Sequence, residues 1–196
     1  MTGDPVLFRR PFPSANSILL PGKRPILVET GAGSDVDALE GWLHFVGVPP
    51  ASLALIVNTH HHSDHVGGNH RLQGCYSLSV ALSREEAMAV NARMSDACRA
   101  DWLGQEVEPF TVDRPLDPDD TIGTGDSESG VWQVIPSPGH SAGHISLYNE
   151  RERQLILGDA FHGDDVGWID PGPGCGLEVA IASVEHLLEL DALTAW

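Results

Sequence analysis

Five of the chain's ten histidines, His60, His61, His62, His65 and His70, fall within residues 60–70. A carboxylate, Asp64, stands among them in the run NTHHHSDHVGGN at 58–69. Imidazole and carboxylate together, with no thiol in the run, are the donor set of a catalytic rather than a structural zinc-type site. On an extended loop His60 and His62 lie two apart and converge on one ion, while the adjacent Asp64 and His65 turn to another. One metal does not readily use all four, so the spacing points to two ions a few ångströms apart sharing a bridging hydroxide. His61, between two of these residues, is expected to face away, because neighbouring side chains in extended backbone point oppositely.

Such a site needs donors from other strand ends. Two segments qualify: His140 in SPGHSAGH, after the apolar run VWQVI, and Asp159 in LILGDAFH, after RQLIL. A glycine precedes each, and Gly139 and Gly158 are expected to let the backbone approach the metals closely. Metal-bound imidazole normally gives its other ring N–H to an oxygen, which assigns Thr59 and Glu29 a supporting place. For His144 the alternatives are a bond to a supporting carboxylate and simple packing.

The elements that must hold these residues are legible in outline. PVLFRRPFPSANSILLPGKRPILVETGAGSD reads as a strand meander broken by Pro, Gly and Asn. Ser34 or Asp35 then caps a helix with apolar positions Ala38, Leu39, Trp42, Leu43 and Val46. SLALIVN is short and continuously apolar, as a buried strand is, so the histidine run lies on the loop just beyond it. SREEAMAVNARMSDACRADWLG reads as one helix or two. VWQVIPS, HISLYNE and RQLILGD read as strands. GLEVAIASVEHLLEL reads as an amphipathic helix expected to bury Leu177, Ile181, Val184 and Leu188. Strands then helix, twice over, predict two β layers with helices outside, in a single domain over 1–196.

THHHSDH at 59–65 resembles the HxHxDH motif of the metallo-β-lactamase superfamily, and PGHSAGH, LGDA and the earlier ETGAGSD resemble further motifs of that family in its order. The resemblance runs from about Pro5 to Trp196. It implies an α/β (α+β) fold, an αββα four-layer sandwich, here C-terminally incomplete. It also implies that His60, His62 and His140 bind a first metal, that Asp64 and His65 bind a second, and that Asp159 bridges. A bridging hydroxide would attack an acyl carbon while Asp64 shuttles the proton to the leaving group. The family completes its second site with a later histidine, whereas here none follows His186. His162 is the better-placed stand-in; truncation of a longer protein accounts for the pattern equally well.

The expected activity is that of a zinc-dependent hydrolase acting on a small thioester or lactone, with two zinc ions, the second weakly held. Iron or manganese are the other candidate metals. The alternatives are a mononuclear iron sulfur-oxygenase of the same fold, and a truncated protein with an impaired second site. Trp102, Phe110, Phe161 and Trp168 are candidate pocket residues as well as ordinary core. With 28 acidic against 11 basic side chains, a formal charge of -17 excludes a nucleic-acid partner. No apolar run nears the ~20 residues that span a bilayer, and the N-terminus lacks a signal-peptide pattern. A cytoplasmic location is therefore expected. Three cysteines at unrelated spacings suit reduced thiols. Apolar surface left bare by the missing C-terminal portion predicts a homodimer, low stability, or both.

Overall fold

The computed structural model describes residues 4–94, 96–125, 130–161 and 167–196. Three short apolar runs near the N-terminus form β1 (Val6–Phe8), β2 (Ser17–Leu20) and β3 (Ile26–Val28), an antiparallel meander. From β3 the sheet continues parallel through β4 (Leu55–Val57), β5 (Val80–Ser83) and β6 (Arg114–Leu116). The crossovers carry α1 (Val36–Phe45), the short α2 (Ser63–Val66), α3 (Asn69–Tyr76), α4 (Arg84–Asn91) and α5 (Ala100–Leu103). The second sheet has the order β11 (Thr194–Ala195), β10 (Gln154–Ile156), β9 (Ile145–Asn149), β8 (Val131–Pro136), β7 (Thr121–Gly123). It is antiparallel except for β10 with β11.

Residues on one strand alternate between faces, and here both faces of the first sheet are covered. Ile18, Leu20, Ile26, Val28, Leu55 and Val57 meet Trp132, Val134, Ile145, Leu147 and Ile156 of the second sheet. Their neighbours Leu19, Leu27, Ile56, Val80 and Leu82 pack outward against Leu39, Leu43, Leu72 and Val90 of the helices. That double burial is why the strands read as unbroken apolar runs. The last helix, α6 (Leu177–Leu188), lies on the outer face of the second sheet, where Leu187 joins Ile135, Tyr148, Leu155 and Ala160. The layer order is the expected αββα. Among the described residues of the 83–104 segment two helices form, α4 and α5, and neither Ser34 nor Asp35 makes a side-chain cap to α1.

The buried face of α6 is not the expected one. Leu177, Ile181 and Leu188 are exposed and Val184 is half-buried, while Ala180, Ser183 and Leu187 face the sheet. The cause is a close approach. A Cβ on Gly139 would stand 2.5 Å from Ala180 Cα, and Ser183 Oγ donates to Pro138 O at 2.6 Å. Only a small-residue stripe lets the helix sit that near the loop. Gly139 therefore admits α6, and Gly158 approaches Thr59 and His144. Leu187→Ala should cost about 2–5 kcal/mol of stability as a buried truncation, and Leu188→Ala within about 0.5 kcal/mol as an exposed one. Urea midpoints of the two variants check this; equal losses would restore the expected face.

Candidate metal centre

The C-terminal ends of β3, β4, β8 and β10 deliver the site's segments to one edge of the sandwich. The two sheets are tied there by Ile145 N donating to Thr59 O at 2.9 Å. After β3, Glu29 takes a left-handed backbone (φ 61°) and is buried, a strained conformation for a side-chain-bearing residue. Its carboxylate accepts from Thr59 N (2.9 Å), Thr59 Oγ1 (2.6 Å) and Asn58 Nδ2 (3.0 Å). Glu29 thereby sets the start of the histidine loop. Asn58 also holds His65 O, and Asn69 Nδ2 donates to Asn58 Oδ1, so the loop is braced along its length.

Three rings converge on this edge. His140 Nε2 stands 3.1 Å from His60 Nε2 and 2.9 Å from His62 Nδ1. The partners of the outward nitrogens fix each tautomer. Thr59 Oγ1 spends its proton on Glu29, so it accepts from His60 Nδ1 at 3.1 Å. His62 Nε2 donates to Asp170 Oδ2 at 3.1 Å, and His140 Nδ1 donates to the Trp168 carbonyl at 2.5 Å. The three inward nitrogens therefore carry lone pairs, aimed at one another with no proton between them. Such an arrangement is repulsive until a cation sits among the lone pairs, and it fits a tetrahedral-type ion with one position open.

Electrostatics agree with that reading. Burial, helped by the imidazoles of His65, His62, His140 and His144, holds His60 well below its ordinary value. Burial likewise brings His140 down to about 4. Burial would raise Asp170, but the hydrogen bond it accepts from His62 and the neighbouring guanidinium of Arg99 bring it to about 2. It stays a carboxylate, which is what keeps the His62 tautomer.

A second group, His60, His65 and Asp159, adjoins the first. His65 Nε2 lies 3.3 Å from Asp159 Oδ1 and 3.6 Å from Asp64 Oδ2, and its Nδ1 lies 3.4 Å from Glu29 Oε1. Asp159 Oδ2 also reaches to 3.7 Å from His140 Nε2, so this carboxylate stands between the two groups. Burial opposes charge on His65, but Asp159, Glu29 and Asp64 outweigh it and hold the ring well above its ordinary value. Burial chiefly, with Asp159, raises Asp64.

The remaining candidates divide. His61 turns to the buried Glu86, Nδ1 to Oε2 at 3.2 Å, and Ser141 Oγ donates to the other carboxylate oxygen. His144 is fully buried and brought down to about 3 by burial first and His140 second. His186 is exposed on α6, Phe110 is core, and His162 lies outside the described residues. A third grouping, His61, His62 and Asp170, already has a cation, since Arg99 Nε sits 3.2 Å from Asp170 Oδ2.

Sequence reasoning missed Asp170 and Glu86. Asp170 lies 108 residues from the ring it orients and reads as a turn acid in WIDPG. Glu86 reads as the Glu of a capping box with Ser83. Only half of that box forms, Ser83 Oγ accepting from Glu86 N at 3.4 Å, because the carboxylate goes to His61 and Ser141.

A family model described as the metallo-beta-lactamase superfamily matches residues 10–195. Among curated proteins, the chain is similar to hydroxyacylglutathione hydrolases. One from Synechococcus sp. (strain JA-3-3Ab) is 31% identical over 147 residues, 74% of this chain and 49% of that protein. One from Crocosphaera subtropica is 33% identical over 148 residues, 75% of this chain and 48% of that protein. The chain thus spans about half the length of these relatives. Among solved structures, TTHA1623 in a di-iron-bound form has a TM-score of 0.76 at 28% identity, covering 99% of this chain and 90% of that one. The BLEG-1 B3 metallo-beta-lactamase has a TM-score of 0.71 at 25% identity, covering 89% and 81%.

Proposed function

The chain belongs to the metallo-beta-lactamase superfamily, and from that premise we propose that it is a two-metal hydrolase of a small thioester or lactone. Its metal-binding groups and its hydrolase relatives support a metal-dependent hydrolase. The observation that carries the finer reading is the convergence of three imidazole lone pairs beside a shared carboxylate. His60, His62 and His140 would hold one ion, Asp64 and His65 a second, with Asp159 between. When bound, the ions supply Lewis acidity toward the acyl oxygen and acidify a water.

The chain's own groups do the rest. Asp170 keeps the His62 Nδ1 lone pair inward, and Glu29 with Thr59 does the same for His60. Asp64 combines a position beside His65 with a side chain that is not sealed from solvent. In this reading it would take the proton from the attacking water and pass it to the leaving thiol or alcohol. A thioester is favoured over a lactone because the acylglutathione in the relatives' name is one. Zinc is the proposed metal, and the di-iron neighbour makes iron the comparator.

Trp168 and Trp102 meet edge to face at 4.7 Å, each about half exposed. Trp168 is clamped beside the ligand rings by its carbonyl on His140 and by its indole N–H on Asp170. This pair would support the apolar part of the acyl or thiol group. Trp102→Ala is expected to raise KM for an aryl thioester roughly tenfold, the worth of one lost aromatic contact, with kcat within about twofold. An unchanged KM removes the pair from recognition. The reading as a whole is tested by following thiol release from simple acyl thioesters in protein loaded with zinc or with iron. No turnover above buffer with either metal would refute it.

A further inference from the structure

Outside the ligand rings, a chain of hydrogen bonds runs through His144. His144 Nε2 accepts from the Asp159 backbone N–H at 3.1 Å. Its Nδ1 lies 2.8 Å from Ser137 Oγ, Ser137 Oγ lies 2.9 Å from Ser146 Oγ, and Ser146 Oγ donates to Leu157 O at 3.1 Å. A carbonyl only accepts, so the direction of every link is fixed. Ser146 gives its proton to Leu157, Ser137 gives its proton to Ser146, and His144 gives its Nδ1 proton to Ser137. That leaves the Nε2 lone pair for Asp159. All three side chains are buried, where a half-satisfied network would be costly.

The chain begins and ends on one short turn. It takes the N–H of Asp159 and returns to the C=O of Leu157, gripping the segment that presents the Asp159 carboxylate from both sides of Gly158. Gly158 has a left-handed backbone (φ 58°), and a Cβ there would lie 2.7 Å from His144 Nε2 and 2.5 Å from Thr59 Oγ1. The imidazole thus sits against bare backbone. Nothing larger than glycine allows it.

We propose that His144 is a positioning residue, held in one tautomer by Ser137 and Ser146, which clamps the Leu157–Asp159 turn and so sets the carboxylate that the two metal groups share. The proposal rests on the reading above that Asp159 lies between two ions. The clamp itself is a property of the metal-free chain.

The test has two arms. In metal-free protein, ring 15N correlations are expected to show His144 protonated at Nδ1 and bare at Nε2; an Nε2-protonated or doubly protonated ring overturns the proposal. In zinc titrations against a competing chelator, His144→Leu is expected to weaken the second equivalent about 10–100-fold, the usual effect of losing a ligand's support. The first equivalent should change little. His144→Gln, whose amide oxygen takes the place of Nε2, is expected to restore most of the affinity, and Ser137→Ala to weaken it in the same sense as His144→Leu. Unchanged second-equivalent affinity in His144→Leu, or in Ser137→Ala should the leucine variant not fold, overturns the proposal. Wild-type protein that takes up a single equivalent contradicts the two-metal reading instead, and the tautomer then decides the clamp alone.

Discussion

His140→Ala is expected to lower thioester turnover by about a thousandfold or more and to strip the protein of its more tightly held metal. His140 is the hub of the trio: its Nε2 is within 3.1 Å of His60 Nε2 and 2.9 Å of His62 Nδ1, and it faces Asp159 Oδ2 at 3.7 Å. Removing it leaves two lone pairs where three converged, too few to hold a catalytic zinc. Lewis-acid stabilisation of the transition state is worth several kcal/mol, and each 1.36 kcal/mol is a decade in rate. Three decades is thus a conservative loss. His44→Ala, an exposed substitution on α1, is the control. Kinetics and metal content measured on the same preparations check the claim, and an alanine variant within about fivefold of wild type would remove the trio from the chemistry.

The second large effect concerns the metal-free protein and pH. His140 at about 4, His144 at about 3 and His60 well below its ordinary value are neutral in the fold and charge near 6.5 once unfolded. Between about pH 6.5 and 4 the unfolded state therefore binds more protons, and stability falls as pH falls. At 1.36 kcal/mol per unit, His140 and His144 lose roughly 2–3 kcal/mol each by pH 4.5, a large part of the about 5–15 kcal/mol that holds an ordinary domain together. Asp64, raised in the fold, recovers part of this by binding its proton early. His65 acts on the other side. Its raised value contributes stability that is complete below 6.5 and is lost as pH rises through the folded value. EDTA-treated protein is thus expected to be most resistant to urea near pH 6.5 and markedly less so at pH 4.5. A midpoint at pH 4.5 equal to that at pH 6.5 would mean the rings are not held neutral.

Much of this was legible in the sequence because the chemistry is local. The run from Thr59 to His65 carries four candidate donors within seven residues, His60 and His62 before α2 and Asp64 and His65 on it, and His140 and Asp159 each follow an apolar strand. Strand identity was readable because both faces of the first sheet are buried, which leaves runs such as ILV and LIV without polar interruptions. The inward face of α6 was not readable. That helix carries larger apolar residues on its outer side than on its inner one, and the choice is made by backbone packing against Gly139. Asp170 and Glu86 were hidden for a related reason. Each is a lone carboxylate whose partner is remote in sequence, so no spacing marks it, and only the fold brings Asp170 to His62 and Glu86 to His61.

In the proposed function, one edge of the sandwich holds two ions and hydrolyses with them. Elemental analysis of the purified chain, dialysed against limiting zinc and assayed in the same tube for thioester cleavage, tests it most directly. The expected result is about two zinc per chain, with activity rising as the second equivalent binds. A single iron with oxygen uptake, or full activity in metal-free protein, would contradict it.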